Sequence, residues 1–169
     1  MTRWVDRPPA PATPAGLLIA EPFQMAYATN DIERACTIFA ERFGIREFQR
    51  LEGQRPAGGY MRVELAWVGP VMYELVEGHG PGTELFTDRL PSDRFVIQHH
   101  HIGHLVRDES GWAALEALAS RSGHALVGVN HNPGFMRSGF VDAPELGHYL
   151  EYILPEPAAI DFFNAVPRA

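Results

Sequence analysis

The chain has 169 residues, 46% of them hydrophobic and 21% charged, with a net charge of −7 and one cysteine, Cys36. That length suits one compact domain or two small fused modules, and the composition is that of an ordinary globular protein. The acidic balance, without a basic cluster, argues against a nucleic-acid partner; a lone cysteine excludes an intrachain disulfide; and no apolar run approaches membrane-spanning length. Gly16 to Ala20 is too short for the apolar core of a signal peptide, so a cytoplasmic protein with no membrane partner is expected.

Residues 1–19, with the proline- and alanine-rich stretch from Arg7 to Pro14, read as a flexible N-terminal segment. Phe23 to Thr29 reads as a short strand. Asn30 or Asp31 can cap the helix that follows, which runs to about Phe43 with Ile32, Ala35, Ile38, Phe39 and Arg42 or Phe43 as its buried stripe and Gly44 as its stop. Three strand-like runs come next: Glu47 to Leu51, Tyr60 to Val68 and Val71 to Val76. They are separated by the turn signals at 53–59 and Gly69-Pro70. A Gly/Pro-rich connector spans 78–93. The order then repeats, with a strand over 96–106 that reads as longer than its counterpart. A helix capped by Asp108 or Ser110 runs to Ser122 with Trp112, Leu115, Leu118 and Ala119 inside, and strands follow over 125–129, 135–141 and 147–154. The last residues carry Ile160, Phe162, Phe163 and Val166 and predict a short docked helix, because two adjacent phenylalanines are costly to leave in water.

The divisions are therefore a first βαβββ module (20–79), a linker (80–95), a second βαβββ module (96–155) and a tail (156–169). The spacing supports a duplication. Gln24 stands 50 residues before Glu74, and His101 stands 50 before Glu151, with the two pairs offset by 77. Asp31 and Asp108 keep the same offset of 77.

Side chains alternate across a strand, so Glu74 shares a face with Met72 and Val76, and Glu151 with Tyr149 and Ile153. The same rule puts His99 on the face of His101 and sends His100 and His104 to the helix side. A carboxylate in the middle of an apolar run needs a cation, a hydrogen-bond network or a raised pKa. One divalent metal serves both glutamates at once. An imidazole, two carboxylates and an amide oxygen suit a borderline divalent ion that keeps positions open for substrate.

The run Gln24-Met-Ala-Tyr-Ala-Thr-Asn-Asp31 and the run His101-Ile-Gly-His-Leu-Val-Arg-Asp108 resemble the two first-strand motifs of the vicinal oxygen chelate superfamily. The strands holding Glu74 and Glu151 resemble its glutamate-bearing strands. That superfamily includes glyoxalase I, methylmalonyl-CoA epimerase, extradiol dioxygenases and bleomycin-resistance proteins. The resemblance covers about residues 20–155. It implies an α+β fold of two tandem βαβββ modules forming a cup-shaped mixed sheet, with metal ligands at Gln24, Glu74, His101 and Glu151. It also implies one divalent metal per site (Zn or Ni, with Fe, Mn or Co as alternatives), a small-molecule substrate with vicinal oxygens, and a homodimer.

The set Gln/Glu/His/Glu is similar to that of glyoxalase I of the eukaryotic type. The expected activity is accordingly a lactoylglutathione lyase-like lyase or isomerase, moving a proton beside a metal-bound carbonyl with Glu151 and Glu74 as catalytic acid and base. Ala28 and Ile97 stand where that family places arginines for the carboxylates of glutathione, so strict glutathione dependence is not expected. The epimerases resemble the pattern less well, since Glu74 falls where they carry a neutral amide. Dioxygenases use two histidines and a carboxylate, which Gln24 counts against. A binding or resistance protein on the same scaffold is the reading outside enzymology. Ala26, Met72, His99, Arg137 and Tyr149 are the expected substrate contacts.

Overall fold

A computed structural model of the chain describes residues 16–18 and 20–169. The expected flexible segment at 1–19 therefore lies outside the described residues, save for 16–18. The first module comprises strand β1 (Glu21–Thr29), helix α1 (Ile32–Phe43) and strands β2 (Gln49–Gln54), β3 (Tyr60–Val68) and β4 (Val71–His79). A short helix, α2 (Glu84–Thr87), interrupts the linker. The second module repeats the order with β5 (Ile97–Leu105), α3 (Glu109–Arg121), β6 (Leu126–Asn132), β7 (Met136–Ala143) and β8 (His148–Pro155), and α4 (Pro157–Ala165) closes the chain.

The strands form one curled mixed sheet in the order β2-β3-β4-β1-β5-β8-β7-β6. Within each module the first strand runs parallel to the last, β1 with β4 and β5 with β8. The modules meet along a single antiparallel seam, β1 against β5. β1 and β5 are each nine residues long, so the longer second strand expected from sequence is not found.

Local chemistry explains both long helices. Asp31 Oδ1 accepts a hydrogen bond from Arg34 N at 3.0 Å, and Asp108 Oδ1 from Gly111 N at 2.8 Å, so each satisfies an otherwise free donor of the first turn. Gly44 stops α1 in the left-handed region at φ 80°. Ile32, Ala35 and Phe39 pack beneath α1 on Ile45, Ala66 and Leu75, whereas Phe43 at the helix end is exposed. Trp112, Leu115 and Ala119 pack beneath α3 on Val141, Leu150 and Tyr152. Replacing Asp108 with alanine is expected to lower stability by about 1 kcal/mol, a fall in Tm of about 2–4 °C, measurable by thermal melting.

A third apolar cluster lies on the opposite, concave face. There α4 lays Ala159, Phe163 and Val166 against Phe23, Leu65, Met72 and Ile153. The tail is tied down where β3 ends: Trp67 N donates to Pro167 O at 2.8 Å, Ala169 N to Trp67 O at 2.8 Å, and Trp67 Nε1 to Phe163 O at 2.9 Å. The strand expected over Glu47 to Leu51 begins later, because Ile45 and Phe48 are drawn into the core beneath α1 and only the exposed segment from Gln49 pairs with β3.

Candidate functional site

The seam brings the four expected metal ligands together within one chain. Register places them in two adjacent rows on the concave face. One row runs Met72, Gln24, Gly103, Glu151, Phe140; the next runs Glu74, Ala26, His101, Tyr149, Asp142. Gln24 and Glu151 thus flank Gly103, while Glu74 and His101 flank Ala26. The two small residues occupy equivalent positions of the two modules, each two residues beyond a candidate ligand, and they open the space into which the larger side chains lean.

All four ligand candidates are buried. Gln24 Nε2 donates to Glu74 Oε2. His101 Nε2 lies 3.0 Å from Glu151 Oε2 and 3.9 Å from Glu74 Oε1. The 3.0 Å approach is out of line for a hydrogen bond, and both His101 Nε2 and Gln24 Oε1 are buried without a hydrogen-bond partner. Burial pushes the Glu74 carboxyl above the usual range, and the neighbouring Glu151 adds to the rise against the opposing pull of His101 and Gln24. For His101, burial works against charge, but Glu151 and Glu74 outweigh it and its pKa is raised.

A divalent cation suits this donor set in kind. Two buried polar atoms, Gln24 Oε1 and His101 Nε2, lack partners, and two carboxylates converge on one imidazole. As arranged in the structure, no group of three or more His, Cys, Asp or Glu side chains among the described residues is placed to hold a metal ion. Gln24 turns its N–H toward Glu74, as an amide does when it faces a carboxylate. Half a turn about its last bond presents the oxygen instead.

The cluster lies at the base of a cleft of about 470 Å³, into which Gln24, Glu74 and Glu151 project. Its walls are Val63 and Leu65 of β3, Leu85 and Phe86 of α2, Met136 and Phe140 of β7, and Phe163 of α4; Arg55, Asn130 and Ser138 add polar groups.

None of the five expected substrate contacts lines this cleft. Met72 is sealed under α4, and Ala26 is enclosed between Glu74 and His101. Tyr149 lies 4.2 Å beneath the Arg89 guanidinium in a small neighbouring recess. Arg137 is on the helix side, paired with Glu109 at 3.0 Å and placed over the Trp112 ring. His99 is corrected by a β-bulge. Ala26 pairs with His101 and Tyr27 with His99, so His100 is the extra residue and the alternation reverses across it. His99 accordingly packs on Tyr27, which contacts Phe39 of α1, while His100 turns to the concave side against His101, Phe86 and Phe140. His104 does lie on the helix side as expected, stacked on Tyr152. The wall residue that sequence reasoning missed, Ser138, carries one usable signal: it shares the parity of β7 that pairs Phe140 with Glu151, and Arg137 does not.

No protein-family model and no curated protein matches the chain. Solved structures do. A methylmalonyl-CoA epimerase from Mycobacterium tuberculosis superposes with a TM-score of 0.59 at 14% identity, covering 88% of this chain and 96% of that one. A Streptomyces coelicolor methylmalonyl-CoA epimerase variant in complex with 2-nitronate-propionyl-CoA gives 0.56 at 12% identity, over 82% and 96%. A hypothetical protein from Bacillus halodurans gives 0.55 at 13%, over 80% and 94%. Two βαβββ modules joined in one curled sheet around a central cleft are therefore the fold that this chain shares with the methylmalonyl-CoA epimerase structures.

Proposed function

We propose that the protein is a metal-dependent isomerase that moves a proton at a carbon beside a carbonyl, with a 2-substituted acyl thioester as its first candidate substrate. The observation that carries this reading is the approach of Glu74 and Glu151, one from each module, onto the buried His101 at the base of a cleft. A divalent cation held by Gln24, Glu74, His101 and Glu151 would polarise the carbonyl oxygen and stabilise the negative charge that develops when the neighbouring proton leaves.

The chain's own groups supply the proton traffic. Glu74, whose carboxyl is raised by burial, is suited to take up a proton near neutral pH. Glu151 reaches the same space from the other side of the seam. Two carboxylates delivered from opposite modules can act on opposite faces of one carbon, which is what inversion requires. Leu85, Phe86, Phe140 and Phe163 keep water from the acidified carbon, and Val63, Leu65 and Met136 receive an apolar acyl part.

The epimerase structures support this choice of substrate class, since the ligands named for them are acyl-CoA compounds. A second reading, hemithioacetal isomerisation of the glyoxalase I kind, is favoured by the Gln/Glu/His/Glu donor set. Ala28, buried in β1, offers no cation for the acid arms of glutathione.

The test is solvent exchange. In deuterium oxide, with Zn, Ni, Co or Mn supplied in turn, methylmalonyl-CoA is expected to gain deuterium at carbon 2, followed by NMR. Glu74→Gln and Glu151→Gln are each expected to slow the exchange by about 10²–10⁴-fold. Turnover of the methylglyoxal–glutathione hemithioacetal is expected to be weak. Rapid turnover of that adduct, with no exchange into the thioester, would select the second reading over the first.

A further inference from the structure

We infer that His100 is a positioning residue for His101, acting through a two-imidazole relay anchored on the backbone of α2. The inference rests on the reading of His101 as a metal ligand, and it goes beyond that reading by assigning the protons of both rings.

The β5 bulge makes the relay possible. With His101 opposite Ala26 and His99 opposite Tyr27, His100 has no partner across the seam and its ring swings to the concave side beside His101. His100 Nε2 lies 2.9 Å from the carbonyl oxygen of Leu85, and His100 Nδ1 lies 2.8 Å from His101 Nδ1. A carbonyl can only accept, so His100 Nε2 carries a hydrogen. One hydrogen then lies between the two Nδ1 atoms. Placing it on His100 would make that ring a buried cation with no carboxylate partner, stacked on Phe86 and packed against Tyr149. Placing it on His101 leaves His100 neutral and completes a chain from His101 Nδ1–H to His100 Nδ1, and from His100 Nε2–H to Leu85 O.

The chain has one consequence at the site. With Nδ1 committed as a donor, His101 Nε2 is the atom left to face Glu74 and Glu151, and its lone pair is aimed where a cation shared with those carboxylates would sit. The support for this ligand therefore comes from the linker helix between the modules, through the same α2 residues that wall the cleft. Histidine ligands are commonly oriented by an acceptor on their second nitrogen; here that acceptor is another imidazole rather than a carboxylate or carbonyl.

The experiment uses the full chain labelled with ¹⁵N at histidine. In the metal-free protein, a through-hydrogen-bond ¹⁵N–¹⁵N coupling between the two Nδ1 atoms is expected, with His100 in its Nε2–H form. Zinc affinity, read by competition with a chromophoric chelator, is expected to fall about 10–100-fold in His100→Leu. It should stay within a few-fold of wild type in His100→Asn, whose Oδ1 can still accept from His101 Nδ1–H. A doubly protonated or Nδ1–H His100, or a leucine variant that binds zinc like wild type, would overturn the relay. A wild-type chain that shows the coupling but binds no zinc would uphold the relay and sink the metal reading instead.

Discussion

Gly103→Val is expected to abolish cation binding and proton exchange while the chain still folds. Gly103 faces Gln24 on one side and Glu151 on the other. A Cβ built on it would stand 2.8 Å from the Gln24 Cβ and fall inside the radius of Gln24 Oε1. Gln24 cannot retreat, because β1 is hydrogen-bonded to β4 on one flank and β5 on the other. The side chain must therefore leave the row, and Glu151 loses the space into which it leans. Overpacking of this kind costs about 1–3 kcal/mol, a fall in Tm of about 2–12 °C. Cation affinity should drop by about 100-fold or more, beyond what loss of an outer-shell partner does. Gly139→Ala is the matched control: its Cβ would meet Val129, Leu126 and Trp112 at 3.3–3.5 Å on the helix side, so it strains the core without touching the site. Isothermal titration with zinc, beside thermal melts of both variants, checks the pair. Wild-type binding by Gly103→Val would show that the small residue is incidental.

Phe163→Ala is expected to be the most destabilising single truncation of the concave face, by about 3–5 kcal/mol. Its ring packs 6.0 Å from Phe23 and 5.9 Å from Phe162, and it forms part of the cleft wall. The backbone of α4 stays anchored through Trp67, so the change removes a side chain rather than the helix. Tm should fall by about 6–20 °C. The cleft loses a wall, so water reaches the carboxylate pair and the substrate's KM rises, while zinc binding persists because every ligand candidate sits on a strand that α4 does not carry. Calorimetry and zinc titration together decide; a stability loss under about 1 kcal/mol would mean that α4 is only loosely seated.

Much of this architecture could be read from the residues because its signals are local. The aspartates at 31 and 108 cap their helices by contacts three residues long, and Gly44 stops α1 through its own backbone. Their common offset, repeated by the candidate-ligand pairs, locates the two modules without any tertiary information. The misplacements share a different cause. In the run from Gln98 to His104, three consecutive histidines give no alternation to read, and which of them turn to the concave side is settled by a bulge against β1, a strand about 75 residues earlier. Arg137 drew notice for its charge, but the pairing of β7 with β8 turns it to α3. The cleft walls come from α2, the β2–β3 hairpin, β7 and α4, segments remote in sequence whose apolar residues look like ordinary core until the sheet curls beneath them.

The single seam between β1 and β5 bears on how copies of this chain can combine. Each module holds two of the four donors and presents one strand to the other, and residues 80–96 are all that joins them covalently. If two chains exchanged their second modules, each β1 would meet the other chain's β5 in the same register. The result would be a pair of identical centres, each shared between two chains. The ratio of one centre per chain is unchanged by such a trade. Cation stoichiometry is therefore blind to it, and the choice between closed monomer and exchanged pair falls to linker strain and protein concentration.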